Sequence, residues 1–170
     1  MRIYGVVGWK NAGKTTLMER LVREITGRGF SVSTIKHAHH VFDVDRPGKD
    51  SYRHREAGAE EVLISSGARW ALMHELRDAD EPPLQALLAR LSPVDLVLIE
   101  GYKRDGHSKV EAYRAETGAP LIAADDATVK AIATNDPVDA GQPLLPLDDA
   151  PAIADFILRD VGLPLKVANG

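Results

Sequence analysis

The residues with the clearest chemical pattern run from Gly8 to Thr15. They read Gly-Trp-Lys-Asn-Ala-Gly-Lys-Thr and match the phosphate-binding pattern G-x-x-x-x-G-K-[ST]. In such a loop the backbone N–H groups turn toward an anion, and the start of the following helix adds a partial positive charge. The segment lies between a predicted strand and a predicted helix, as this chemistry requires. The sequence therefore predicts a P-loop that binds a nucleoside triphosphate.

Within the predicted loop, two side chains have distinct roles. The Lys14 amine is expected to contact the β- and γ-phosphates, and the Thr15 hydroxyl is expected to bind Mg²⁺. Trp9 and Lys10 occupy variable positions, where a Trp can pack against the protein as readily as it contacts a ligand. The predicted nucleotide contacts of the loop are Gly8, Asn11, Ala12, Gly13, Lys14, Thr15 and Thr16.

An acidic group is also needed to orient Mg²⁺ or a water molecule. Asp95 and Glu100 flank the apolar run Leu96–Ile99, which predicts a central parallel strand. Ligands of open α/β sheets lie beyond the carboxyl ends of the strands, so Glu100 is the candidate catalytic and metal-binding acid. Lys103 is either a further cation near the phosphates or an exposed loop lysine.

A second polar segment follows the next predicted strand, at the same end of the sheet. From Lys36 through Arg55 there are five Lys or Arg residues against three Asp residues, which favours an anionic ligand. His37 and His39 would share a face if the strand continued, so a metal pair near Asp43 or Asp45 is one interpretation. A polar surface loop is the other.

The elements around these residues alternate between strands and helices. The predicted strands are Arg2–Val7, Phe30–Ile35, Glu61–Ser65, Arg69–Leu76, Asp95–Ile99, Val110–Tyr113, Leu121–Ala124 and Ala131–Thr134. The predicted helices are Thr15–Arg28, a short one begun by Ser51, Leu84–Leu91 and Ala152–Leu158. This order predicts a three-layer α/β P-loop fold with a mainly parallel sheet. We expect one nucleotide-binding domain over residues 1–161 and a C-terminal tail over residues 162–170.

Composition narrows the possible classes of protein. A net charge of −4 gives no general electrostatic reason to expect nucleic-acid binding. The absence of Cys excludes disulfides and thiolate metal sites, which is consistent with a reducing compartment. No apolar run approaches the length of roughly 18 residues that a membrane span needs. We therefore expect a cytoplasmic protein that is not bound to a membrane.

Four segments, the P-loop among them, resemble the molybdopterin-guanine dinucleotide biosynthesis adaptor family, MobB. They are Gly8–Thr16, Ile35–Ser51 with its Lys-His-x-His-His and Pro-Gly-Lys-Asp-Ser elements, Arg69–Met73, and Glu100–Lys103. The resemblance covers about residues 3 to 135 in colinear order. It implies a P-loop fold related to metal-insertion GTPases, a homodimer, and binding of GTP with Mg²⁺ and weak hydrolysis.

The resemblance also implies a partner, a MobA-type molybdenum cofactor guanylyltransferase that attaches GMP to molybdopterin. Four residues of the second segment, Lys36, His37, Lys49 and Asp50, are expected to face the nucleotide or the partner's pterin product. Guanine specificity is not readable from the residues, because Thr134-Asn135-Asp136 lacks the Asn-Lys-x-Asp spacing of many GTPases. Two alternatives remain open: a P-loop small-molecule kinase, and a GTP-dependent metallochaperone with His37, His39 and His40 as ligands.

Overall fold

The computed structural model describes residues 1–38 and 44–165 of the chain. Their contacts divide the chain into two compact units. The first unit combines Met1–His37 with the residues from Leu91 onward, and the second unit is Ala38–Arg90. The second unit is therefore inserted into the sequence of the first.

The first unit is a parallel sheet with helices. Its strands are β1 (Arg2–Val7), β2 (Val32–Lys36), β5 (Leu96–Glu100), β6 (Lys109–Ala112), β7 (Val129–Ala133) and β8 (Leu144–Leu145), and its helices are α1 (Lys14–Gly27) and α4 (Ala150–Asp160). The strand order is β2-β5-β1-β6-β7-β8, and every neighbouring pair is parallel. This arrangement confirms the predicted α/β class and the mainly parallel sheet.

The core of the first unit lies between the sheet and its two long helices. Strand β5 is buried at every position because it lies between β1 and β2 inside the sheet. The apolar face of α1 contributes Leu17, Leu21 and Ile25, and α4 contributes Ile153 and Ile157 to the same cluster. Burying side chains of this size stabilises a fold by about 1.5–3 kcal/mol each, so the sheet is a firm support for its loops.

Strand register brings the predicted site residues to one end of the sheet. Glu100, the last residue of β5, is level with Val6 of β1 and with Lys36 of β2. The Gly8–Gly13 loop leaves β1 two residues after Val6. The loops that follow β1, β2 and β5 therefore begin side by side at the carboxyl edge.

The second unit contains two short helices and a β-hairpin. The elements are α2 (Asp50–Glu56), β3 (Glu61–Ser65), β4 (Trp70–His74) and α3 (Leu84–Leu88). Strands β3 and β4 pair antiparallel, with Leu63 opposite Leu72 and Ser65 opposite Trp70. Strand β3 has the predicted bounds, and β4 begins one residue later and ends two residues earlier than predicted. Helix α3 ends three residues before the predicted end.

One predicted strand is wrong. Residues 121–124 do not extend; Ile122–Ala124 forms a 3₁₀ turn instead. The Glu111 carboxylate accepts hydrogen bonds from the backbone N–H groups of Ile122 and Ala123, at 2.9 and 2.8 Å. A carboxylate that binds two successive N–H groups stabilises the start of a helical turn. Ala123 is therefore buried, and Leu121 and Ile122 pack partly buried beside it, without joining the sheet.

Two other sequence predictions are only partly covered by the structure. Leu163 of the predicted tail is buried and belongs to the core cluster, while residues 166–170 of that tail lie outside the described residues. The prediction of a single nucleotide-binding domain over residues 1–161 stays a prediction. Within the described parts of the chain, no helix combines the length and the apolar character that a membrane crossing demands.

Candidate nucleotide-binding site

The Gly8–Gly13 loop turns tightly through three residues with positive φ angles. Gly8, Asn11 and Gly13 have φ angles of 148°, 66° and 94°, which L side chains rarely adopt. A methyl group on Gly8 would lie 2.4 Å from the Ala112 carbonyl oxygen, so the loop also needs glycine for close packing on β6. No side chain caps the N-terminus of α1 among the residues described. Its first N–H groups and its dipole are thus available to an anion.

Lys14 is the first residue of α1, and its side chain reaches back to this loop. Its amine donates a hydrogen bond of 2.7 Å to the carbonyl oxygen of Trp9. Partial burial lowers the pKa of Lys14, Glu100 opposes that shift, and the positive charges of Lys103 and Lys36 add to it. Lys14 therefore has like-charged neighbours, which an anionic ligand would relieve.

Thr15 and Glu100 meet at the start of α1. The Thr15 hydroxyl lies 3.5 Å from Glu100 Oε1, the limit of a hydrogen bond, and the Glu100 side chain is 12% exposed. The Lys36 amine is 3.6 Å from the other carboxylate oxygen, Oε2. A hydroxyl and a carboxylate at this separation are ligands that Mg²⁺ accepts, with water completing its shell. The strand-end argument that selected Glu100 over Asp95 is consistent with this geometry, since Asp95 binds the backbone N–H and hydroxyl of Ser31 at the opposite end of β5.

Two residues after β5 form a tight turn against His37. Gly101 and Tyr102 have φ angles of 96° and 49°. A methyl group on Gly101 would lie 2.9 Å from His37 Cβ, and the Tyr102 and His37 rings are 4.8 Å apart. His37 therefore packs on the turn that follows Glu100.

The same turn leads to Lys103, whose amine lies 3.8 Å from the centre of the Trp9 ring. This distance is within the range of a cation–π interaction. The Trp9 indole N–H donates a 2.7 Å hydrogen bond to the Pro120 carbonyl oxygen. The sequence leaves two interpretations of Lys103, either a further cation near the phosphates or an exposed loop lysine. The structure is consistent with the first interpretation, because the amine contacts the ring of Trp9 in the P-loop.

Arg114 is a residue that the sequence analysis missed. A methyl group on Gly13 would lie 3.5 Å from Arg114 Nε, so the guanidinium is next to the P-loop. Its side chain is 44% exposed and pairs with Glu116 at 3.3 Å. The signal was present, because Arg114 directly follows Tyr113 at the carboxyl edge of β6, as Glu100 ends β5.

The remaining predicted site residues belong to the second unit or lie outside the described residues. Lys49 precedes α2, Asp50 is its first residue, and both are exposed. Their assignment to the nucleotide stays a prediction. His39, His40 and Asp43 are not among the described residues. Across residues 1–38 and 44–165, no group of three His, Asp or Glu side chains is arranged to hold a metal ion.

Asn135 and Asp136 hold loops together at the end of β7. The Asn135 side chain donates to Asp148 and accepts the backbone N–H of Leu147, at 2.6 and 2.9 Å. Asp136 accepts the backbone N–H of Ala115 at 2.7 Å. These contacts give Asn135 and Asp136 a structural role and give no evidence on guanine specificity.

Comparison with known proteins gives a consistent picture. Residues 3–135 match the family model described as molybdopterin guanine dinucleotide synthesis protein B. A molybdopterin-guanine dinucleotide biosynthesis adapter protein of Escherichia coli is 40% identical over 154 residues, which cover 89% of this chain and 88% of the relative. The corresponding adapter protein of Haemophilus influenzae is 40% identical over 155 residues, covering 91% and 86%.

A solved structure has the same fold. The crystal structure of a MobB protein homolog from Bacillus stearothermophilus superposes with a TM-score of 0.70 at 28% sequence identity. The superposition covers 95% of this chain and 99% of the other. The α/β fold of this chain therefore matches a solved architecture over nearly its whole length.

Proposed function

The chain belongs to the molybdopterin guanine dinucleotide synthesis protein B family, and we propose that it acts in that pathway as an adapter protein that binds GTP with Mg²⁺. The observation that carries the nucleotide part is the P-loop with Lys14 inside it and Glu100 beside it. We further propose that the adapter acts in the cytoplasm, beside a guanylyltransferase that attaches GMP to molybdopterin.

The chemistry of the loop fits a nucleoside triphosphate. The open N-terminus of α1 supplies N–H donors, and Lys14, Lys36 and Lys103 supply three positive charges near the carboxylate of Glu100. A triphosphate carries several negative charges, so it would offset the mutual repulsion of these amines. The free loop instead satisfies Lys14 with the Trp9 carbonyl oxygen, a neutral acceptor that an anion can replace.

The Thr15 and Glu100 pair fits Mg²⁺. Bound Mg²⁺ would neutralise phosphate charge and order water. Thr15 presents a hydroxyl from the first turn of α1, and Glu100 presents a carboxylate from the end of a fully buried strand. The rigidity of β5 keeps the carboxylate oriented, which matters because Mg²⁺ requires nearly octahedral geometry.

The site is better suited to holding GTP than to hydrolysing it rapidly. Rapid GTPases orient the attacking water and place an arginine against the transferring phosphate, a contribution of about 10³ to 10⁵ in rate. Arg114 lies beside Gly13, but its guanidinium is directed to Glu116. We propose slow turnover in the isolated protein, which suits an adapter that presents GTP to a partner.

The exposed hairpin of the second unit supports a homodimer as part of the proposal. Leu63, Trp70 and Leu72 lie on one face of the β3–β4 hairpin and are 60%, 66% and 41% exposed. An isolated two-stranded sheet is marginally stable in water, and contiguous exposed apolar side chains mark interaction surfaces. A second copy of this chain would cover the same face symmetrically.

The test combines GTP affinity with product formation. Lys14→Ala removes a charge-assisted contact from a surface loop, and such a contact is worth about 1.5–3 kcal/mol, so GTP affinity should fall roughly 10- to 100-fold with the fold intact. Isothermal calorimetry with GTP and ATP measures this change and the base preference. Lys130→Ala, an exposed lysine of β7 bonded to the Ala127 carbonyl, is the matched control.

The adapter part is measured as molybdopterin-guanine dinucleotide formed by a guanylyltransferase with and without this protein. We expect wild type and Lys130→Ala to raise product formation and Lys14→Ala to raise it less. Wild-type protein that binds no GTP would refute the nucleotide assignment. Wild-type protein that binds GTP but leaves product formation unchanged would refute the adapter role alone.

A further inference from the structure

Lys14 and Lys103 both contact Trp9, the second residue of the P-loop. The Lys14 amine bonds to the Trp9 carbonyl oxygen at 2.7 Å, and the Lys103 amine lies 3.8 Å from the centre of the Trp9 ring. The hydrogen bond from the indole to the Pro120 carbonyl oxygen holds the ring in place. Trp9 thus places a second ammonium group next to the loop, and that amine belongs to a different segment of the chain.

The position of Lys103 depends on the strained turn after β5. Two successive residues, Gly101 and Tyr102, have left-handed φ angles, and Tyr102 is not a glycine. For a residue other than glycine such a conformation is strained and persists only where the surroundings enforce it, frequently at functional sites. Here the enforcing contact is the packing of Tyr102 on His37. The turn joins Glu100 to Lys103 and brings both to the same end of the sheet.

The electrostatics of Lys103 indicate a cation without a close counter-ion. Burial lowers the pKa of Lys103, and the Glu111 charge opposes that shift. No ion pair within 4.0 Å joins Lys103 to a carboxylate among the described residues. Its charge also contributes to the lowered pKa of Lys14, so the two amines repel each other. A cation–π contact is generally weaker than a charge-assisted bond to phosphate, so an anion would compete for this amine.

We propose that Lys103 recognises the terminal phosphate of the bound nucleotide, leaving the Trp9 ring to do so. This inference rests on the proposed function, since it assigns a residue to the same nucleotide site. Glu100 and Lys103 then have complementary roles at one turn: the carboxylate faces the Mg²⁺ side and the ammonium faces the phosphate side. The proposed movement is a rotation of the flexible lysine side chain about a turn whose backbone stays in place.

The first test separates the terminal phosphate from the rest of the nucleotide. Calorimetry with GTP and with GDP is performed on wild type, Lys103→Met and Lys103→Arg. Because one charge-assisted contact is lost, Lys103→Met should bind GTP about tenfold more weakly and GDP with unchanged affinity. Lys103→Arg should restore most of the preference for GTP. Lys130→Met, the same change at an exposed lysine outside the site, should alter neither affinity.

The second test uses Trp9 as an optical reporter. The chain has two Trp residues, so the measurement is made in a Trp70→Phe background, where emission comes from Trp9 alone. GTP should change the Trp9 emission more than GDP does, because the ammonium leaves the ring. In Lys103→Met no ammonium lies on the ring, so the Trp9 emission of the nucleotide-free protein should already resemble that of the GTP-bound protein. Adding GTP to this variant should therefore change the emission little.

The outcomes distinguish the two proposals. If wild type binds no GTP, the proposed function fails and this inference fails with it. If wild type binds GTP and Lys103→Met loses affinity for GTP and GDP equally, or for neither, only the assignment of Lys103 to the terminal phosphate is overturned. A Lys103→Met protein whose Trp9 emission responds to GTP as fully as wild type would also overturn it.

Discussion

His107 is a titratable residue with an unusual environment. Both of its ring nitrogen atoms are buried and have no hydrogen-bond partner among the described residues. A methyl group on Gly5 would lie 2.7 Å from His107 Nε2, so glycine makes room for the ring. Burial lowers the pKa of His107, the nearby charge of Lys109 lowers it further, and Asp105 and Asp126 oppose both effects. The folded protein therefore favours the neutral imidazole.

Stability should fall in mild acid because of His107. When the folded pKa is below the unfolded value of about 6.5, the unfolded chain binds the proton first, so stability decreases as the pH drops from that value toward the folded pKa. His107→Phe keeps a ring of similar size without titrating. The free energy of unfolding, measured in urea at several pH values between 7.5 and 5, should decrease less in His107→Phe than in wild type.

If the free energy of unfolding decreased equally with pH in wild type and His107→Phe, groups other than His107 would cause the loss of stability in acid. His74→Phe is the control, because the His74 ring is 46% exposed and pairs with Glu61 at the surface. We expect this control to retain the steeper dependence of wild type.

At the residue scale, the sequence predicted the groups whose chemistry follows from a motif or a strand end. Lys14, Thr15 and Glu100 lie close together, as the P-loop spacing and the strand-end argument require. Buried polar groups were not predictable in the same way. Lys109 and Glu111 are both fully buried on β6, and their partners come from residues 105–128, so only the tertiary structure explains why charged residues occupy an interior strand.

Arg28 joins the two long helices of the first unit. It follows α1, its side chain is 6% exposed, and its guanidinium bonds to Glu24 at 2.8 Å and to Asp155 of α4 at 2.5 Å. It also donates to the Pro151 carbonyl oxygen at 3.3 Å. Arg28 therefore satisfies groups of α4 at the point where the two helices are in contact.

Replacing Arg28 should weaken this helix pair. Arg28→Ala leaves the partly buried Glu24 carboxylate without this partner and leaves Asp155 with only its 3.4 Å pair to Arg159. The full penalty of about 3–5 kcal/mol for breaking a buried pair is reduced here, because Asp155 is about one-third exposed and keeps that second cation. We expect a loss of about 2 kcal/mol in the free energy of unfolding, measured in urea.

The matched control is Arg23, in the last turns of α1 before Arg28. Arg23 forms an i,i+4 pair with Glu19, but both side chains are about 70% exposed. Exposed pairs contribute about 0–0.5 kcal/mol, so Arg23→Ala should be nearly neutral. Equal losses in the two variants would mean that helix propensity, and not the link to α4, determines the effect.

At the element scale, hydrophobic pattern predicted best where one element lies fully inside the sheet. The apolar run of β5 and the periodic face of α1 gave spans within one residue of the observed ones. Residues 121–124 failed because an apolar run only shows that a segment is buried; the Glu111 carboxylate decides that it forms a helical turn. Strand β8 has two residues, too few to show the alternation of apolar and polar residues that predicts a strand.

At the scale of the whole molecule, the exposed hairpin predicts the oligomeric state. Leu63→Glu places a charge in the proposed interface on both copies of a symmetric dimer. Burial of one leucine is worth about 1.5–3 kcal/mol, so the dimer dissociation constant should rise at least about tenfold. Sedimentation velocity over a range of concentrations measures this constant.

The control variant tests the specificity of the hairpin. Val44→Glu makes the same kind of change at an apolar residue of the second unit that is 71% exposed and lies outside the hairpin. It should leave the dimer unchanged. If wild type is monomeric at high concentration, or if both variants dissociate alike, the hairpin is not the interface.

Because the second unit is inserted between β2 and β5, the ribosome makes these two neighbouring strands at well-separated times. These two strands are neighbours in the sheet, yet Ser31 and Asp95, which bond across them, are 64 residues apart in the chain. A ribosome releases residues from the N-terminus onward. The P-loop therefore emerges well before Glu100, and a nascent chain has Lys14 and Thr15 without the carboxylate at their side. Under the proposed function, a chain arrested within the second unit would hold no Mg²⁺ at Glu100, so nucleotide with Mg²⁺ can stabilise the protein only after Glu100 has been made.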